Sequence, residues 1–376
     1  MSHSIEPIEL AAYREAVSVR DLTDPGQGPH AMQLLVEAIH ARLAEVTGAR
    51  VRVHRANPVV PIEDNYDRLL YPSEGKARDA RHTRYLSDRL LLRTQTSAMI
   101  PSLLEQLELG PAEDLLLVCP GIVYRRDQID RLHSGEPHQL DLWRLRAGRP
   151  LTEHDLTEMV ALVLEAALPG LGHHTLPASH PYTTDGLQIE VCPHAGSWVE
   201  VGECGLAHPR LLDAADLGPG VSGLALGLGL DRLLMLRKGI EDIRLLRSKD
   251  PRIEKQLLTL DPYQPVSRMP PVRCDLSVMV TLETTAEQLG DQVRQTLGKA
   301  ADVIEELVIR GETPYSELPL GAVKRMGALP GQKNVLLHAV LRHLERTLSR
   351  TEANELRDRI YMAVHRGSEL ELIGTD

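Results

Sequence analysis

The chain has 376 residues, of which 42% are hydrophobic and 25% are charged, and this composition excludes a disordered or collagen-like chain. A single hydrophobic core rarely organises so many residues, so we expect two domains. No apolar run is long enough to cross a bilayer and no signal-peptide pattern opens the sequence, which predicts a soluble cytoplasmic protein with no membrane partner. The net charge of −11 argues against a generally nucleic-acid-binding surface but allows a local basic patch.

The N-terminal part of the chain combines a turn with a helix. A proline- and glycine-rich stretch, RDLTDPGQGPH, leads into apolar residues at helical spacing, HAMQLLVEAIHARLAEV. We expect this segment, residues 1–60, to pack on the domain that follows. Residues 61–95 are polar and irregular.

The middle of the chain alternates strand-like pieces with one clear helix. The strand-like pieces are LLLVCPGIVYRR, HQLDLWRL, LQIEVC and SWVEVGECG. The helix, TEHDLTEMVALVLEAAL, has Thr152 as a plausible N-cap. Antiparallel-type strands with interspersed helices favour an α+β fold over a repeated β-α-β unit.

A proline-rich break, DPYQPVSRMPPV, covers residues 261–272 and is the best linker in the chain. After it the pattern is strand, helix, strand, loop, strand, helix. That order fits a small split β-α-β domain.

The segment PGIVYRRDQIDRLHSGEPHQLDLWRL carries the first group of chemically useful side chains. Gln139 and Asp141 are two residues apart on a strand and therefore share a face, whereas His138 points the other way. An amide beside a carboxylate suits an ammonium group, and Arg125 at the end of the preceding strand could clamp a phosphate. A solvated hairpin with ordinary surface charges explains the same residues.

The segment SGLALGLGLDRLLML changes from strand-like to helix-like residues. Gly227 and Gly229 would let a flat group approach the backbone, and Arg232 could stack on a nucleobase and reach a phosphate. Together with the hairpin, this favours ATP held bent over a sheet. A buried helix is the alternative for this segment alone.

Several segments, in order along the chain, resemble the class II aminoacyl-tRNA synthetases. VYRRDQID…PHQLDL resembles their motif 2 and SGLALGLGLDRL resembles motif 3, while no convincing motif 1 is found. The resemblance is closer to phenylalanyl-tRNA synthetase, through RTQTSAM, HPYTTDGLQIEV, SWVEVGECGLAHP and HLERTLSRTEA. The single-chain mitochondrial type implies an antiparallel catalytic sheet flanked by helices, residues 61–264, and a ferredoxin-like anticodon-binding domain, residues 268–376.

The resemblance implies ATP and Mg²⁺ as cofactors and assigns roles to individual residues. Arg125 would bind the α-phosphate, Arg232 would stack on adenine, and Glu200 would help to hold Mg²⁺. Pro137 and Gly229 would complete the ATP site, and Gln139 would act in catalysis beside the two arginines. The reaction implied is attack of a carboxylate on the α-phosphorus, then transfer of the acyl group to a tRNA ribose hydroxyl. Positioning and charge neutralisation would carry both steps.

The amino-acid half of the site departs from the family pattern. The family's Phe-Pro-Phe is His180-Pro181-Tyr182 here, its Phe-Ala-Phe-Gly is Leu224-Ala225-Leu226-Gly227, and its His-Thr-Ser is Gln95-Thr96-Ser97. The expected amino-acid-binding residues are Gln95, Ser97, Gln139, Asp141, His180, Tyr182, Leu224 and Leu226. Asp141 replaces a family Glu and Pro137 replaces a family Phe.

Three interpretations of these departures stay open. The chain could keep phenylalanine as its substrate, could activate another or a modified amino acid for tRNA or a biosynthetic acceptor, or could be a catalytically silent tRNA-binding paralogue. The chain contains no phenylalanine at all, which fits either leucine-rich bias or selection for translation when phenylalanyl-tRNA is scarce.

The C-terminal part holds a basic segment. Residues 321–350 contain six Lys or Arg and one Glu. Lys324, Arg325, Arg342 and Arg346 are the predicted tRNA contacts, and Arg342, Arg346 and Arg350 are four apart, which would place them on one helical face. The alternative is a solvated helix face. The expected assembly is a monomer or a homodimer.

Four residues carry a weak metal signal. Cys192, His194, Cys204 and His208 could hold zinc, but their spacing is not that of a standard finger. Free thiols in a reducing compartment are the simpler interpretation of the cysteines.

Overall fold

The computed structural model describes residues 7–126, 128–194, 197–218, 220–266 and 269–370. The chain divides into two compact units. The first comprises Met1–Arg125, Glu136–Ile240 and Glu254–Tyr263, and the second comprises Arg126–Gly135, Glu241–Ile253 and Gln264–Asp376. Within the described ranges, no helix combines the length and the apolar character needed to span a membrane.

The first unit opens with two helices, α1 (Leu10–Ser18) and α2 (Ala31–Thr47). The turn before α2 lies where the sequence predicts it, and the His30 side chain caps the helix by accepting a hydrogen bond from the Met32 N–H. The helix ends at Gly48, whose φ of 70° is a left-handed value that glycine adopts without strain.

A seven-stranded sheet forms the centre of the first unit, in the order β1-β4-β5-β9-β8-β7-β6. The strand β1 pairs in parallel with β4, and the other neighbours are antiparallel. A separate two-stranded sheet pairs β2 with β3. The strands are β1 (Arg50–Val53), β2 (Val59–Pro61), β3 (Leu90–Leu92), β4 (Asp114–Ile122), β5 (His138–Ala147), β6 (Gly172–Pro177), β7 (Thr183–His194), β8 (Ser197–Ala207) and β9 (Val221–Gly229).

Helices cover both faces of the large sheet. On one face α2 packs with α4 (Glu153–Ala167) and α6 (Leu230–Lys238). On the other face a hydrophobic cluster joins the sheet to α3 (Ile100–Leu104) and α5 (Pro209–Ala214). The predicted N-cap of α4 is confirmed, because Thr152 and Asp155 form a reciprocal capping box. The predicted α+β class with a mainly antiparallel sheet is likewise confirmed.

The second unit is built on a three-stranded antiparallel sheet in the order β10-β12-β11. Its core packs α8 and α10 on the sheet, through residues such as Val278, Val293, Leu337 and Ile360. The described elements follow the predicted order, except that a helix, α9, lies between the second and third strands where the sequence predicts a loop. They are β10 (Val272–Thr281), α8 (Ala286–Leu297), β11 (Ile304–Pro314), α9 (Leu320–Met326), β12 (Gln332–Leu341) and α10 (Arg350–Val364), preceded by the short α7 (Pro251–Glu254).

The second unit includes residues 126–135 and 241–253, although the predicted domain limits place both segments in the catalytic domain, residues 61–264. Residues 126–135 are the loop between β4 and β5, and within this loop Ile129 is buried in the core of the second unit and pairs with Leu307. In the same unit, the Ile243 N–H donates to the Arg131 carbonyl. Contiguous sequence limits cannot show such an exchange, because it depends on packing.

One prediction about the second unit is wrong. Arg342, Arg346 and Arg350 do not share a helical face, since Arg342 follows the end of β12, Arg346 lies in a loop and Arg350 begins α10. A four-residue spacing aligns side chains only inside one continuous helix.

Candidate active site

The predicted phosphate-binding residues lie around one edge of the large sheet. Ile122 at the end of β4 pairs with His138 at the start of β5, and Gln139 pairs with Gly229 at the end of β9. Arg125 follows the first of these strands, and Arg232 lies in the first turn of α6, directly after β9. Their neighbour Pro137 precedes β5. The register therefore brings together residues that are more than a hundred positions apart.

Both arginines are anchored through backbone carbonyls. The Arg125 Nε donates to the Thr94 carbonyl at 2.8 Å, and the Arg232 Nη1 donates to the Glu200 carbonyl at 2.8 Å. Neither bond neutralises the guanidinium, so both arginines keep a full positive charge for a ligand. The exposed Glu200 lies on β8 and pairs across strands with Glu190.

The predicted magnesium ligand is one exposed carboxylate, Glu200. Among the described residues, no cluster of three or more His, Cys, Asp or Glu could hold a metal ion. Mg²⁺ typically takes one or two protein carboxylates together with substrate phosphates and water, so a single exposed carboxylate, Glu200, suits an ion that arrives with a nucleotide.

Gln139 and Asp141, the predicted ammonium-binding pair, share a face of β5 as the sequence predicts. Their surroundings differ. The Gln139 Oε1 accepts a hydrogen bond from the Thr96 N–H at 3.3 Å. Asp141 is only 2% exposed, and its two carboxylate oxygens accept hydrogen bonds from the Ser97 hydroxyl and from the Trp143 indole N–H. Burial raises the pKa of Asp141 to about 6, against the lowering effect of the Ser97 and Trp143 hydrogen bonds.

The strand β9 provides an open floor beside this pair. Asp141 pairs with Gly227, and Gln139 pairs with Gly229, so both glycines present the same face of the sheet as those two side chains. A methyl group added at Gly227 would meet nothing within 4 Å, and one at Gly229 would meet only the Val201 carbonyl at 3.9 Å. A strip of free space, which we call the β9 cleft, therefore lies above Gly227 and Gly229.

Leu224 and Leu226 do not line this cleft, contrary to the prediction. They alternate with Ala225 and Gly227 along β9 and are 0% and 1% exposed, so they point to the opposite face, which α2, α4 and α6 cover. On the cleft side, Ala225 of β9 pairs with Trp143 of β5 and packs in the same hydrophobic cluster. A match of residue identity to a family motif does not show which face of a strand a residue occupies.

An aromatic and polar wall completes the cleft side. The Tyr182 ring lies 6.2 Å from Trp143 and 6.3 Å from Tyr71, and the Tyr71 hydroxyl donates to the Gln95 Oε1 at 2.8 Å. Burial raises the pKa of Tyr71 to about 12, so its phenol stays protonated and remains a donor. The predicted residues Gln95, Ser97 and Tyr182 thus belong to one connected set.

His180 contributes to the wall through a carboxylate that the sequence analysis missed. Its Nε2 lies 2.6 Å from the Glu203 Oε2. Glu203 pairs across strands with Gly227, as Asp141 does from the other side. Tyr71, Trp143 and Glu203 were not predicted. Trp143 follows from strand alternation, two residues after Asp141, whereas Glu203 needs the register between β8 and β9.

A buried histidine, His138, connects the start of β5 with α6. The His138 ring accepts the Leu22 N–H at Nε2, 3.1 Å, and its Nδ1 lies 3.0 Å from the Asp231 carboxylate. These two contacts fix the orientation of the imidazole ring. Gln139 follows His138 and Arg232 follows Asp231 along the chain, so this link fixes the relative position of Gln139 and Arg232.

The zinc alternative finds no support among the described residues. Cys204 is buried, and the His208 side chain caps α5 by accepting the Arg210 N–H. The His194 side chain lies outside the described set.

The predicted tRNA contacts divide into two kinds. Lys324 and Arg325 are exposed in the last turn of α9. Arg342 and Arg346 form ion pairs inside the second unit, with Glu305 and Glu352 respectively, each at 2.6 Å.

Comparisons with known proteins give matches to a family, to curated relatives and to solved structures. Residues 26–257 match the family described as tRNA synthetases class II core domain (F). The chain is 27% identical to a probable mitochondrial phenylalanine--tRNA ligase of Drosophila melanogaster, over 82% of this chain and 76% of that protein. It is 31% identical to a phenylalanine--tRNA ligase alpha subunit of Gloeobacter violaceus, over 66% of this chain and 75% of that protein. A pyrrolysyl-tRNA synthetase structure from Desulfitobacterium hafniense matches with a TM-score of 0.45 and 22% identity, over 58% of this chain and 74% of that one.

Proposed function

The chain belongs to the class II tRNA synthetases, and from this premise we propose that it uses ATP and Mg²⁺ to activate phenylalanine and attach it to tRNA. The observation that carries the proposal is the strand register, which pairs the ends of β4, β5 and β9 next to Arg125, Gln139 and Arg232, beside the β9 cleft. Phenylalanine as the amino acid rests on the activity named for the relatives. Nothing in the geometry favours a catalytically silent paralogue. A cytoplasmic location and a monomeric or homodimeric state stay predictions.

The first step needs a substrate carboxylate brought to the α-phosphorus of ATP. Arg125 would offset the charge that develops on the α-phosphate, and Arg232 would hold the far end of the bent nucleotide. Magnesium, when held by Glu200, would offset charge on the phosphates. As the new bond between carboxylate oxygen and phosphorus forms, the bond to the bridging oxygen breaks and pyrophosphate leaves.

The proposed reaction needs no covalent nucleophile from the protein. Burial raises the pKa of Cys204 to about 12 and that of Cys119 still further, so neither thiol is ionised near neutral pH. The acyl group passes from the adenylate directly to a ribose hydroxyl of tRNA, and AMP is the leaving group. Positioning is therefore the main contribution of the protein.

The test is amino-acid-dependent exchange of pyrophosphate into ATP. Arg125→Lys and Arg232→Lys keep a positive charge but lose the planar guanidinium, so we expect each to lower the exchange rate by roughly 100-fold or more. Arg42→Lys is the matched control, because Arg42 is an exposed arginine of α2 that is paired with Glu165. Activity retained in both site variants, or no exchange by the wild type with phenylalanine or any other amino acid, would contradict the proposal.

A further inference from the structure

The backbone pairing of β4 with β5 ends just before Arg125. Beyond the pair of Ile122 and His138, the Val123 N–H donates to the Pro137 carbonyl at 2.8 Å. Pro137 has no N–H, so it cannot return a second hydrogen bond to Val123. Arg125 therefore follows a pair of residues that a single backbone bond joins, and its own backbone needs another contact to fix it.

The Arg84 side chain supplies that contact by bridging the two ends of the loop between β4 and β5. Its Nη2 donates to the Arg125 carbonyl at 3.2 Å, and its Nη1 donates to the Glu136 Oε1 at 2.5 Å. Arg125 and Glu136 flank residues 126–135, and both belong to the first unit, as Arg84 does. One planar guanidinium thus joins two residues that the whole loop separates.

The bridge is enclosed by protein. The Arg84 side chain is 8% exposed and the Glu136 side chain is 19% exposed. A charge-assisted hydrogen bond shielded from water holds its geometry better than an exposed ion pair does. The Arg84 backbone is fixed in turn, because its carbonyl accepts a hydrogen bond from the Leu92 N–H of β3 at 3.0 Å. Arg84 is therefore a rigid anchor and not a surface charge.

Arg125 is held at two points as a result. Its carbonyl accepts the hydrogen bond from Arg84, and its Nε donates to the Thr94 carbonyl at 2.8 Å. Thr94 lies two residues beyond β3, so both partners of Arg125 are tied to the same strand. Two anchor points fix the direction in which the side chain leaves the backbone, whereas one point would let it turn.

We propose that Arg84, together with Glu136, is a positioning residue for Arg125 and hence for the α-phosphate of ATP. The inference rests on the proposed function, because it concerns the group that offsets charge on the α-phosphate. Arg84 acts by holding the Arg125 backbone and does not itself bind the nucleotide. Such pre-organisation matters because a charge that is already in place needs no rearrangement during the reaction.

The variant Arg84→Lys tests the proposal, since lysine keeps the charge but cannot bridge a carbonyl and a carboxylate with one planar group. In pyrophosphate exchange we expect the KM for ATP to rise about tenfold while the KM for the amino acid stays within twofold. A merely structural role would instead lower the fraction of active enzyme, which reduces kcat and changes neither KM.

The variant Arg144→Lys is the matched control. The Arg144 side chain is 5% exposed and binds the Asp114 carboxylate through Nε and Nη2, at the opposite end of β4 from Arg125. We expect this variant to lose stability without a change in either KM. A raised KM for ATP in both variants, or in neither, would overturn the inference while leaving the proposed function intact.

A double variant asks whether Arg84 acts through Arg125. If it does, Arg84→Lys should have much less effect in the Arg125→Lys background than in the wild type, because the group that it positions is already lost. Independent effects of the two substitutions would overturn the inference. If Arg84→Lys does not fold, Glu136→Gln replaces it in the same cycle and should raise the KM for ATP by a smaller factor.

A binding measurement keeps the two proposals distinguishable. If the wild type shows no exchange with any amino acid, calorimetry with ATP and Mg²⁺ still reports on Arg84. Binding that Arg84→Lys weakens about tenfold, and that Arg144→Lys leaves unchanged, supports the inference although the proposed function has failed. Absence of ATP binding, or equal binding by the wild type and Arg84→Lys, overturns the inference as well.

Discussion

The two faces of β9 show how one strand serves both the core and the candidate site. One face of β9 carries Leu224, Leu226 and Leu228, which point toward α2, α4 and α6 and are at most 2% exposed. Ala225, Gly227 and Gly229 alternate with them and carry little or no side chain. Large side chains are used where packing stabilises the fold, and side chains are absent where a ligand must approach the backbone. The following variants test whether stability and activity divide along the same line.

Leu226→Ala should have the largest effect, and on stability. The side chain is almost completely buried, so its truncation should lower the free energy of unfolding by roughly 2–5 kcal/mol. Urea denaturation measures this loss. The KM for the amino acid, determined at a temperature where the variant is folded, should be unchanged. A raised KM without loss of stability would indicate that Leu226 contacts the amino-acid substrate.

Asp141→Asn should change how stability depends on pH. The pKa of Asp141 is about 6 in the folded protein and near 3.8 when unfolded, so the folded state binds more protons between these values. This group therefore lowers stability as pH rises from about 4 to 6, by about 3 kcal/mol in all. Asp141→Asn should remove that component of the denaturation midpoint's pH dependence. An identical pH profile for the wild type and Asp141→Asn would contradict a raised pKa of Asp141 in the folded protein.

Gly227→Ala should do the reverse of Leu226→Ala. The added methyl group meets no protein atom within 4 Å, so the free energy of unfolding should stay within about 1 kcal/mol. Because the methyl group occupies the floor of the cleft, pyrophosphate exchange should fall by roughly 100-fold.

Gly223→Ala supplies the contrast on the same strand and the same face. There a methyl group would lie 2.9 Å from Ala207 and 2.9 Å from Leu145, so this variant should lose stability through overpacking. If Gly227→Ala and Gly223→Ala behaved alike, the open strip above Gly227 would be disproved.

Arg325→Glu should have the smallest effect, and it extends the comparison to the second unit. Arg325 is exposed, whereas Arg346 is ion-paired with Glu352. We expect Arg325→Glu to weaken tRNA binding by roughly tenfold and to reduce the salt dependence, whereas Arg346→Gln should change binding less. Filter binding across a series of salt concentrations measures both. Equal binding by the wild type and Arg325→Glu would argue against a tRNA contact at α9.

Sequence reasoning succeeded where a local pattern has one physical meaning. The cap at Thr152 follows from hydrogen-bonding chemistry within four residues, and the shared face of Gln139 and Asp141 follows from strand geometry. The prediction for Leu224 and Leu226 was wrong, because matching residue types to a motif does not show which face of a strand they occupy. Sequence reasoning also failed for Arg342, Arg346 and Arg350, because four-residue spacing was applied across a strand end, a loop and a helix start.

The sequence by itself determined the family, the α+β class, and the strands and helices with a clear periodic pattern, such as β5 and α4, because these depend on short motifs and on periodicity. Only the tertiary structure decided that Asp141 is enclosed by Ser97 and Trp143, that Glu203 lies across Gly227 from it, and that residues 126–135 belong to the second unit. The physical reason is that burial and ion pairing arise from strand register and packing between distant segments, neither of which is encoded in any one stretch of the chain.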